Sequence, residues 1–209
     1  MHFVTRFSLI GCVLMVLSSF LPLKKNPAGT SNVPGLTNTF LDKTEITNIG
    51  WKEYVWNIKE RYGSKSNEYV KSLPDEAVWE MAYKGKFGES SAYKDYPVVG
   101  VTYDQALKYC AWRSARVSEM EHREIVYSLP SIKVYKMVTR GETENKIAEG
   151  LYSTGFGFRT FSGICENAQE MTDVEGVAIA GADRNVCLEK RQYLAPTPSL
   201  GFRCMAILK

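Results

Sequence analysis

The longest apolar run in the chain lies at its N-terminus. Phe7 to Leu23 is almost wholly apolar, follows a short segment with one cation, and ends at Lys24 and Lys25. This order is typical of a secretory signal, and the run is short for a bilayer-spanning helix, which needs about 20 residues. We predict a signal peptide or anchor at residues 1–23, and therefore export. A buried N-terminal helix of the domain is the competing interpretation.

The segment after this run is rich in residues that interrupt regular structure. Pro, Gly, Ser, Thr and Asn recur from Asn26 to Asn38, which predicts a flexible tether at residues 24–38. Apolar and polar residues then alternate from Phe40 to Ile46, as in a strand. No internal repeat follows, so residues 39–209 are predicted to form one domain.

Three helices are predicted from capping residues that precede apolar positions at helical spacing. They begin after Thr47 or Asn48, after a capping box of Thr102 with Gln105, and at Leu129-Pro130-Ser131. They end at Gly63, near Ala115, and at Gly141. Their predicted inward residues are Ile49, Tyr54, Val55 and Ile58; Ala106, Leu107 and Cys110; and Val134 and Val138.

The remaining apolar segments are short. Tyr96 to Val101 predicts a strand, and the chain after the third helix shows short strands, loops and glycines with little helical periodicity. The tryptophans are predicted to lie in the core; they are Trp51, Trp56, Trp79 and Trp112. The pattern indicates an α+β domain with few helices and much irregular structure.

Composition narrows the possible functions. Hydrophobic residues make up 44% and charged residues 23%, as in globular proteins. A net charge of +3, without a dense basic cluster, argues against a nucleic-acid partner. The chain has two histidines, His2 and His122, and His2 lies in the predicted signal segment, which argues against a mechanism that needs two or three histidines, such as a three-His metal site.

Export changes the interpretation of the cysteines. Besides Cys12 in the N-terminal run, the chain has Cys110, Cys165, Cys187 and Cys204. An even number in an exported domain predicts two disulfides. The spacings contain no C-x-x-C pair, which argues against a zinc ribbon.

Five segments carry motifs that appear in the order of a known family. They are Phe40-Leu41-Asp42-Lys43-Thr44-Glu45-Ile46-Thr47-Asn48; Pro97-Val98-Val99-Gly100-Val101-Thr102 running through Ala106 to Tyr109-Cys110-Ala111-Trp112; Ser128-Leu129-Pro130-Ser131; Asn167-Ala168-Gln169-Glu170-Met171-Thr172; and Leu200-Gly201-Phe202-Arg203-Cys204. Together they resemble the formylglycine-generating enzyme (sulfatase-modifying factor) family. The resemblance implies a compact variant of the C-type lectin fold.

A narrower resemblance involves the segment between the first two helices. Ser72-Leu73-Pro74-Asp75 through Val78-Trp79, followed by Ala92-Tyr93-Lys94-Asp95-Tyr96-Pro97, is similar to the formylglycine-like lipoproteins of the Bacteroidota gliding-motility and type IX secretion machinery. This implies a periplasmic protein attached to the outer membrane, with other envelope or secretion-machinery proteins as partners.

The N-terminal run also contains a segment similar to a lipoprotein signal. Leu9-Ile10-Gly11-Cys12 resembles a bacterial lipobox, in which the cysteine is lipidated. The residues after Cys12 stay apolar, whereas a lipoprotein usually becomes polar there. Lipidation at Cys12, cleavage near Ser18 or Ser19, and retention as an anchor therefore remain open.

The resemblance also defines what catalysis would need. The catalytic family oxidises a substrate cysteine with Cu(I) held by two thiolates whose cysteines have four residues between them. Here the corresponding stretch has Cys187, and the position five residues on is Gln192. A related branch holds iron with three histidines, which this chain lacks. We therefore predict a non-catalytic structural component of the cell envelope without a redox cofactor; a formylglycine-generating oxidase and a calcium-dependent sugar-binding module are the alternatives.

Further site residues follow from the same resemblance. Cys110 and Cys204 match positions that are disulfide-linked in the catalytic family, which leaves Cys165 and Cys187 to pair; a free Cys187 thiol is the alternative. Asn167 and Glu170 match a calcium-binding loop of some members. The competing interpretation is that Asn167 stabilises a turn and Glu170 pairs with an arginine.

The aromatic residues of the segment between Ser64 and Pro97 are the predicted partner-binding site. Phe87, Tyr93 and Tyr96 lie among lysines, and aromatic side chains beside cations are frequent anchors of protein interfaces. The alternative is that these rings fill the core.

Overall fold

The computed structural model describes residues 26–89, 91–139, 151–154, 160–179, 181 and 188–209. Within these ranges the chain forms eight short strands and five helices. In chain order they are β1 (Thr30–Asn32), β2 (Thr39–Asp42), α1 (Asn48–Tyr62), α2 (Asn67–Val70), α3 (Glu76–Tyr83), α4 (Tyr103–Glu121), β3 (Ile125–Ser128), α5 (Ile132–Val138), β4 (Gln169–Met171), β5 (Val177–Ile179), β6 (Lys190–Gln192), β7 (Leu200–Gly201) and β8 (Met205–Leu208). The architecture is α+β with much irregular chain, as the sequence predicts.

The strands form two small sheets. The first has the order β1-β2-β8-β3 and is antiparallel throughout. The second has the order β6-β5-β4-β7, in which β4 and β7 are parallel. Because β2 pairs with β8, the first strands of the domain are joined directly to the C-terminal strand.

Strand β2 is buried on both faces. Successive side chains of a strand point to opposite sides. Phe40 therefore packs into a core with α1 and α4, whereas Leu41 packs into a second core with α5 and the 161–165 segment. The sequence predicts a strand that continues to Ile46, whereas the observed strand β2 ends at Asp42. The Asp42 carboxylate there accepts from the Cys204 N–H at 2.8 Å and binds Arg113 at 2.6 Å.

The residues predicted to form a tether instead contribute to the domain. Strand β1 pairs with β2 through Ser31 and Leu41. Thr30 and Val33 are buried, at 3% and 1% exposure. The prediction of a flexible tether is therefore wrong for this stretch, since its polar composition does not show that its backbone pairs with a neighbouring strand.

Helix α1 begins and ends where the sequence predicts. The Thr47 side chain accepts from the Gly50 N–H, and Gly63 follows the helix with a φ of 90°. Trp51 lies on the buried face with Tyr54 and Val55, whereas Ile49 is 50% exposed. Ile49 lies about half a turn around the helix from the inward-facing positions 51, 54, 55 and 58. The prediction that Ile49 faces inward is therefore wrong.

Trp56 lies on the same outer face of α1. It is 59% exposed, in contrast to the core position predicted for it. Its position seven residues after Ile49 brings both side chains to one side of the helix. Trp51 and Trp79 are buried as predicted, and Trp112 is partly buried against the core.

Helix α4 opens with the predicted capping box. Thr102 accepts from the Gln105 backbone, and the Gln105 side chain accepts from the Thr102 N–H. The helix is longer than predicted and runs to Glu121. Leu107 is 41% exposed rather than buried, whereas Ala106 and Cys110 are buried.

Helix α5 is capped by Ser131 and buries Val134 and Val138, as predicted. It ends at Val138, and the predicted end at Gly141 lies outside the described residues. The segment Tyr96 to Val101 is not a strand. It is buried from Pro97 onward, and its one bridge of strand type joins Pro97 to Thr47.

Two serines of α4 bind the outer backbone groups of β3. The Tyr127 N–H donates to Ser114 Oγ at 2.8 Å, and the Ile125 N–H donates to Ser118 Oγ at 2.9 Å. The Ser118 hydroxyl in turn donates to the Ile125 carbonyl at 3.0 Å. The alternate backbone groups of β3 pair with β8, so the strand is hydrogen-bonded on both sides. None of the described helices has the length and apolar character needed to cross a bilayer.

Candidate functional site

An aromatic cluster forms at the segment between Ser64 and Pro97. Trp79 and Tyr83 on α3 are buried, at 1% and 2% exposure. Phe87, Tyr93 and Tyr96 are half-buried and pack against them. The structure therefore brings the predicted partner-binding residues together, with their inner faces in this cluster.

The rings of the cluster meet at ordinary aromatic distances. The Tyr93 ring centroid lies 5.0 Å from that of Tyr83 and 5.3 Å from that of Tyr96, and the Phe87 centroid lies 5.9 Å from that of Trp79. Edge-to-face and tilted rings at such distances add stability beyond the apolar area that they bury. The outer faces of the half-buried rings remain available for contact.

Asn48 attaches this cluster to the main core. Its side chain donates to the Tyr93 carbonyl at 3.0 Å and accepts from Trp79 Nε1 at 3.1 Å. The Tyr83 hydroxyl donates to the Pro97 carbonyl. Lys52 of α1 lies over the Phe87 ring, 5.8 Å from its centroid. The segment is thus held in one position by polar contacts from α1.

Cys110 and Cys204 lie side by side in the core. Their sulfurs are 3.3 Å apart, and both are free thiols in the structure. Burial raises the pKa of the Cys204 thiol, and its contact with Cys110 raises it further. The structure thus brings the two residues together without a bond, and the disulfide implied by the family stays a prediction.

Alkylation tests that disulfide directly. In the exported protein, denatured without reductant, we expect iodoacetamide to leave Cys110 and Cys204 unmodified; after reduction both should react. Peptide mass spectrometry gives the measurement. The matched control is Cys110→Ser, which should make Cys204 reactive without reductant. Full alkylation of both residues before reduction would contradict the prediction.

The second pair is only partly described. Cys165 is buried and disulfide-bonded. Its predicted partner, Cys187, lies outside the described residues, as does the possible lipidation site Cys12. The Cys165–Cys187 pairing and the lipidation therefore stay predictions.

A charged cluster lies buried between the two cores. The Arg203 side chain is fully buried and binds both oxygens of Glu170, with Nε–Oε2 at 2.6 Å and Nη2–Oε1 at 2.7 Å. It also donates to the carbonyls of Asp42 at 3.1 Å and Ser162 at 2.8 Å. The Tyr135 hydroxyl donates to Glu170 at 2.9 Å. Arg203 thus connects β2, β4 and the 161–165 segment.

Glu45 is the least satisfied member of this cluster. Its carboxylate is 3.9 Å from Arg203 Nη2, and among the described residues neither oxygen has a hydrogen-bond partner. Burial raises its pKa to about 7; Arg203 opposes this shift and Glu170 adds to it. Gly163 makes room for the carboxylate, because a Cβ there would lie 2.3 Å from Glu45 Oε1.

Glu45 predicts a specific pH dependence of stability. Because its pKa rises from 4.5 to about 7 on folding, the stability it contributes is complete below about pH 4.5 and is lost as the pH rises through about 7. Glu45→Gln should remove this slope from urea midpoints measured between those pH values. The control Glu124→Gln changes an exposed carboxylate and should leave it. An unchanged slope in Glu45→Gln would contradict this assignment.

The candidate calcium residues have other partners. Glu170 is paired with Arg203, and the Asn167 side chain bonds the backbone of Tyr152 through N–H···Oδ1 at 3.0 Å and Nδ2–H···O at 3.2 Å. Among the described residues, no group of 3 or more His, Cys, Asp or Glu is placed to hold a metal. Calcium stays a prediction, and a Ca²⁺ bound by Glu170 would compete with a guanidinium for the same oxygens.

The family resemblance implies a two-thiolate site for Cu(I) late in the chain. By that resemblance Gln192 takes the place of the second cysteine, and it is exposed on β6. An amide is a hard, neutral ligand, whereas Cu(I) selects thiolates. Cys187, the candidate for the first thiol, lies outside the described residues.

Glu45, Arg203 and the Asp42–Arg113 pair were not predicted as site residues. Each lies inside a family-like motif or next to one, and a charged residue within a mostly apolar motif is the available signal. The sequence allows Glu170 either a calcium ion or an arginine as its partner. The structure identifies that arginine as Arg203, 33 residues away.

The fold and the motifs together identify the family. Residues 14–164 match the family described as sulfatase-modifying factor enzyme 1-like domain. The chain belongs to this family, and its fold is the corresponding variant of the C-type lectin fold. Among solved structures, it is similar to Treponema denticola variable protein 1, with 12% identity, a TM-score of 0.51, and coverage of 82% of this chain and 84% of that one. No curated protein matches the chain.

Proposed function

We propose that the protein is a non-catalytic member of this family that serves as a structural or assembly component of the cell envelope. The observation that carries the proposal is Gln192, exposed on β6 at the position where the family resemblance implies the second thiolate. Other cysteines are engaged elsewhere: Cys165 in a disulfide, and Cys110 against Cys204 in the core. The remaining function that the fold can provide is a surface for binding other molecules.

The first test is enzymatic. The purified protein should leave the mass of a cysteine-containing sulfatase peptide unchanged in the presence of Cu(I) and oxygen. The alternative function, a formylglycine-generating oxidase with a rearranged thiol site, is favoured by Cys187 and predicts turnover. Turnover that disappears in Cys187→Ser but persists in Cys165→Ser would refute the non-catalytic proposal.

The second part of the proposal concerns location. The N-terminal run supports export, and the disulfide at Cys165 fits an oxidising compartment. We place the protein in the periplasm, attached to the outer membrane, in the manner of the motility and secretion lipoproteins. Fractionation tests this placement, and a cytosolic protein that keeps its N-terminal run would contradict it. A Cys12→Ala variant that stays with the membrane would show that Cys12 is not the anchor.

The aromatic cluster is the proposed contact with another envelope protein. Phe87→Ala and Tyr93→Ala should each weaken partner association by about 1–3 kcal/mol, as interface anchors do. Because both rings are half-buried, the loss of stability should be smaller than the roughly 3–5 kcal/mol expected for a buried aromatic residue. Pull-down of the native protein and a urea melt give the two measurements.

Two control variants separate the interpretations of this cluster. Trp79→Ala truncates a ring that is 1% exposed, so its main effect should be a loss of folding stability. Val174→Ala truncates an exposed side chain elsewhere and should change neither measurement. If the Phe87→Ala and Tyr93→Ala proteins fold and still bind the partner as strongly as the unmodified protein, the proposed contact is wrong.

A further inference from the structure

A groove of about 580 Å³ lies between α1, α2 and α4. Its floor is largely apolar and includes Tyr54 and Ile58 of α1 and Trp112 of α4. Ala111 and Ala115 line the α4 side, where their small side chains leave the floor uncovered. The volume falls within the range of about 300–1,000 Å³ in which proteins hold ligands.

The rim of this groove is predominantly cationic. Arg61, Lys71 and Lys108 line it from three different parts of the chain, and Glu68 is the one acidic residue among its lining residues. Lys108 also pairs with Asp104 at 2.7 Å, in an exposed contact of small energetic value. An apolar floor beside several cations is complementary to a segment that carries apolar side chains and carboxylates.

A buried phenol on the floor provides a further observation. Tyr54 is 4% exposed as a residue and is one of the side chains that line the groove. Burial raises its pKa to about 12, with smaller contributions from Asp104 and Tyr62, so the hydroxyl keeps its proton. A carboxylate entering the groove could accept a hydrogen bond from this hydroxyl.

We propose that this groove binds an acidic peptide segment of a partner protein. Apolar side chains of the segment lie on Ile58 and Trp112, and its carboxylates face Lys71, Lys108 and the Tyr54 hydroxyl. This rests on the proposed partner-holding function and assigns it a recognition site. Lys71 belongs to the same segment as the aromatic cluster, so that segment forms one wall of the groove.

The test uses three fluorescent peptides and the full-length protein at low ionic strength, where charge interactions are least screened. The first peptide alternates Glu and Leu, the second replaces every Glu by Lys, and the third replaces every Leu by Ser. Fluorescence anisotropy should show saturable binding of the first peptide and much weaker binding of the other two. Equal binding of the Glu and Lys peptides would overturn the proposal, as would no binding of the first up to about 1 mM.

Matched variants locate the binding site. Lys71→Glu with Lys108→Glu should weaken binding of the first peptide about tenfold or more, because like charges then face each other. Ala115→Phe should block the groove, and Tyr54→Phe should weaken binding about tenfold by removing one donor to a carboxylate. Lys133→Glu with Lys136→Glu makes the same charge change on α5, outside the groove, and should leave binding intact. Unchanged binding in the first variant refutes the groove.

The outcome is separable from that of the proposed function. Suppose that the protein is inactive toward sulfatase peptides, is retained in the envelope and binds no acidic peptide. The proposed structural role then stands, and the proposed recognition site in the groove is wrong. If the protein oxidises the sulfatase peptide, the proposed non-catalytic role is wrong, whether or not the groove binds the acidic peptide.

Discussion

Replacing Arg203 by methionine should cost about 3–5 kcal/mol or prevent folding, because removal of one partner leaves buried charge uncompensated. Arg203 is fully buried, and Glu170 and Glu45 share it as their cation. Methionine keeps much of the volume, so the loss comes mainly from charge and hydrogen bonds. The carbonyls of Asp42 and Ser162 also lose their donor. Urea unfolding followed by circular dichroism gives the measurement.

The matched control is Arg191→Met on β6. Arg191 is exposed and lies 3.3 Å from Glu189, and an ion pair of this kind is worth about 0–1 kcal/mol. Adding Glu170→Gln to Arg203→Met should recover part of the lost stability, since it removes one orphaned anion. Equal midpoints for the Arg203 and Arg191 variants would show that the buried cluster does not stabilise the fold.

Trp51→Ala should be the second severe change, at about 3–5 kcal/mol, because it opens a large cavity in the core. Trp51 is 0% exposed and stacks on Tyr109 with ring centroids 5.4 Å apart. It also meets Tyr54 and Phe202 edge-on, and its Nε1 donates to the Ser72 carbonyl at 3.1 Å. The truncation would remove packing and leave that carbonyl without its donor.

Trp56→Ala on the same helix is the control for this prediction. Trp56 is 59% exposed, so the same substitution should change stability by less than about 0.5 kcal/mol. Thermal melts separate the two clearly, since 1 kcal/mol shifts Tm by roughly 2–4 °C in a chain of this size. A Trp56 variant as unstable as the Trp51 variant would place both rings in the core, in conflict with the structure.

The parts of the fold that local rules govern could be predicted. Thr47, Thr102 with Gln105, and Ser131 cap their helices as the sequence indicates, because a cap depends on residues only three or four apart. The helix faces were harder to assign. Ile49 and Leu107 are apolar but lie off the buried stripe, and composition alone does not show which face meets the core.

The long-range contacts lay beyond sequence reasoning. Asp42 binds Arg113 across 71 residues, and Arg203 binds Glu170 across 33. Which charges meet depends on how β8 is inserted between β2 and β3, and no local spacing encodes that order. Tyr96 to Val101 is a similar case: it is apolar enough for a strand, but its backbone pairs only briefly, through Tyr96 and Val98, with the stretch that leads into α1.

The serines at positions 114 and 118 have a consequence for how this domain can assemble. A strand at the border of a sheet normally offers unpaired backbone groups on which another chain can add a strand. Because Ser114 and Ser118 occupy the outward N–H groups of β3, that border is closed to β-augmentation and to runaway polymerisation. An assembly built from this domain therefore uses side-chain surfaces or another strand border, such as β1 in this sheet or the exposed β6 in the second sheet. A side-chain surface would select its partner by shape and charge, whereas strand addition relies on backbone groups that every chain has.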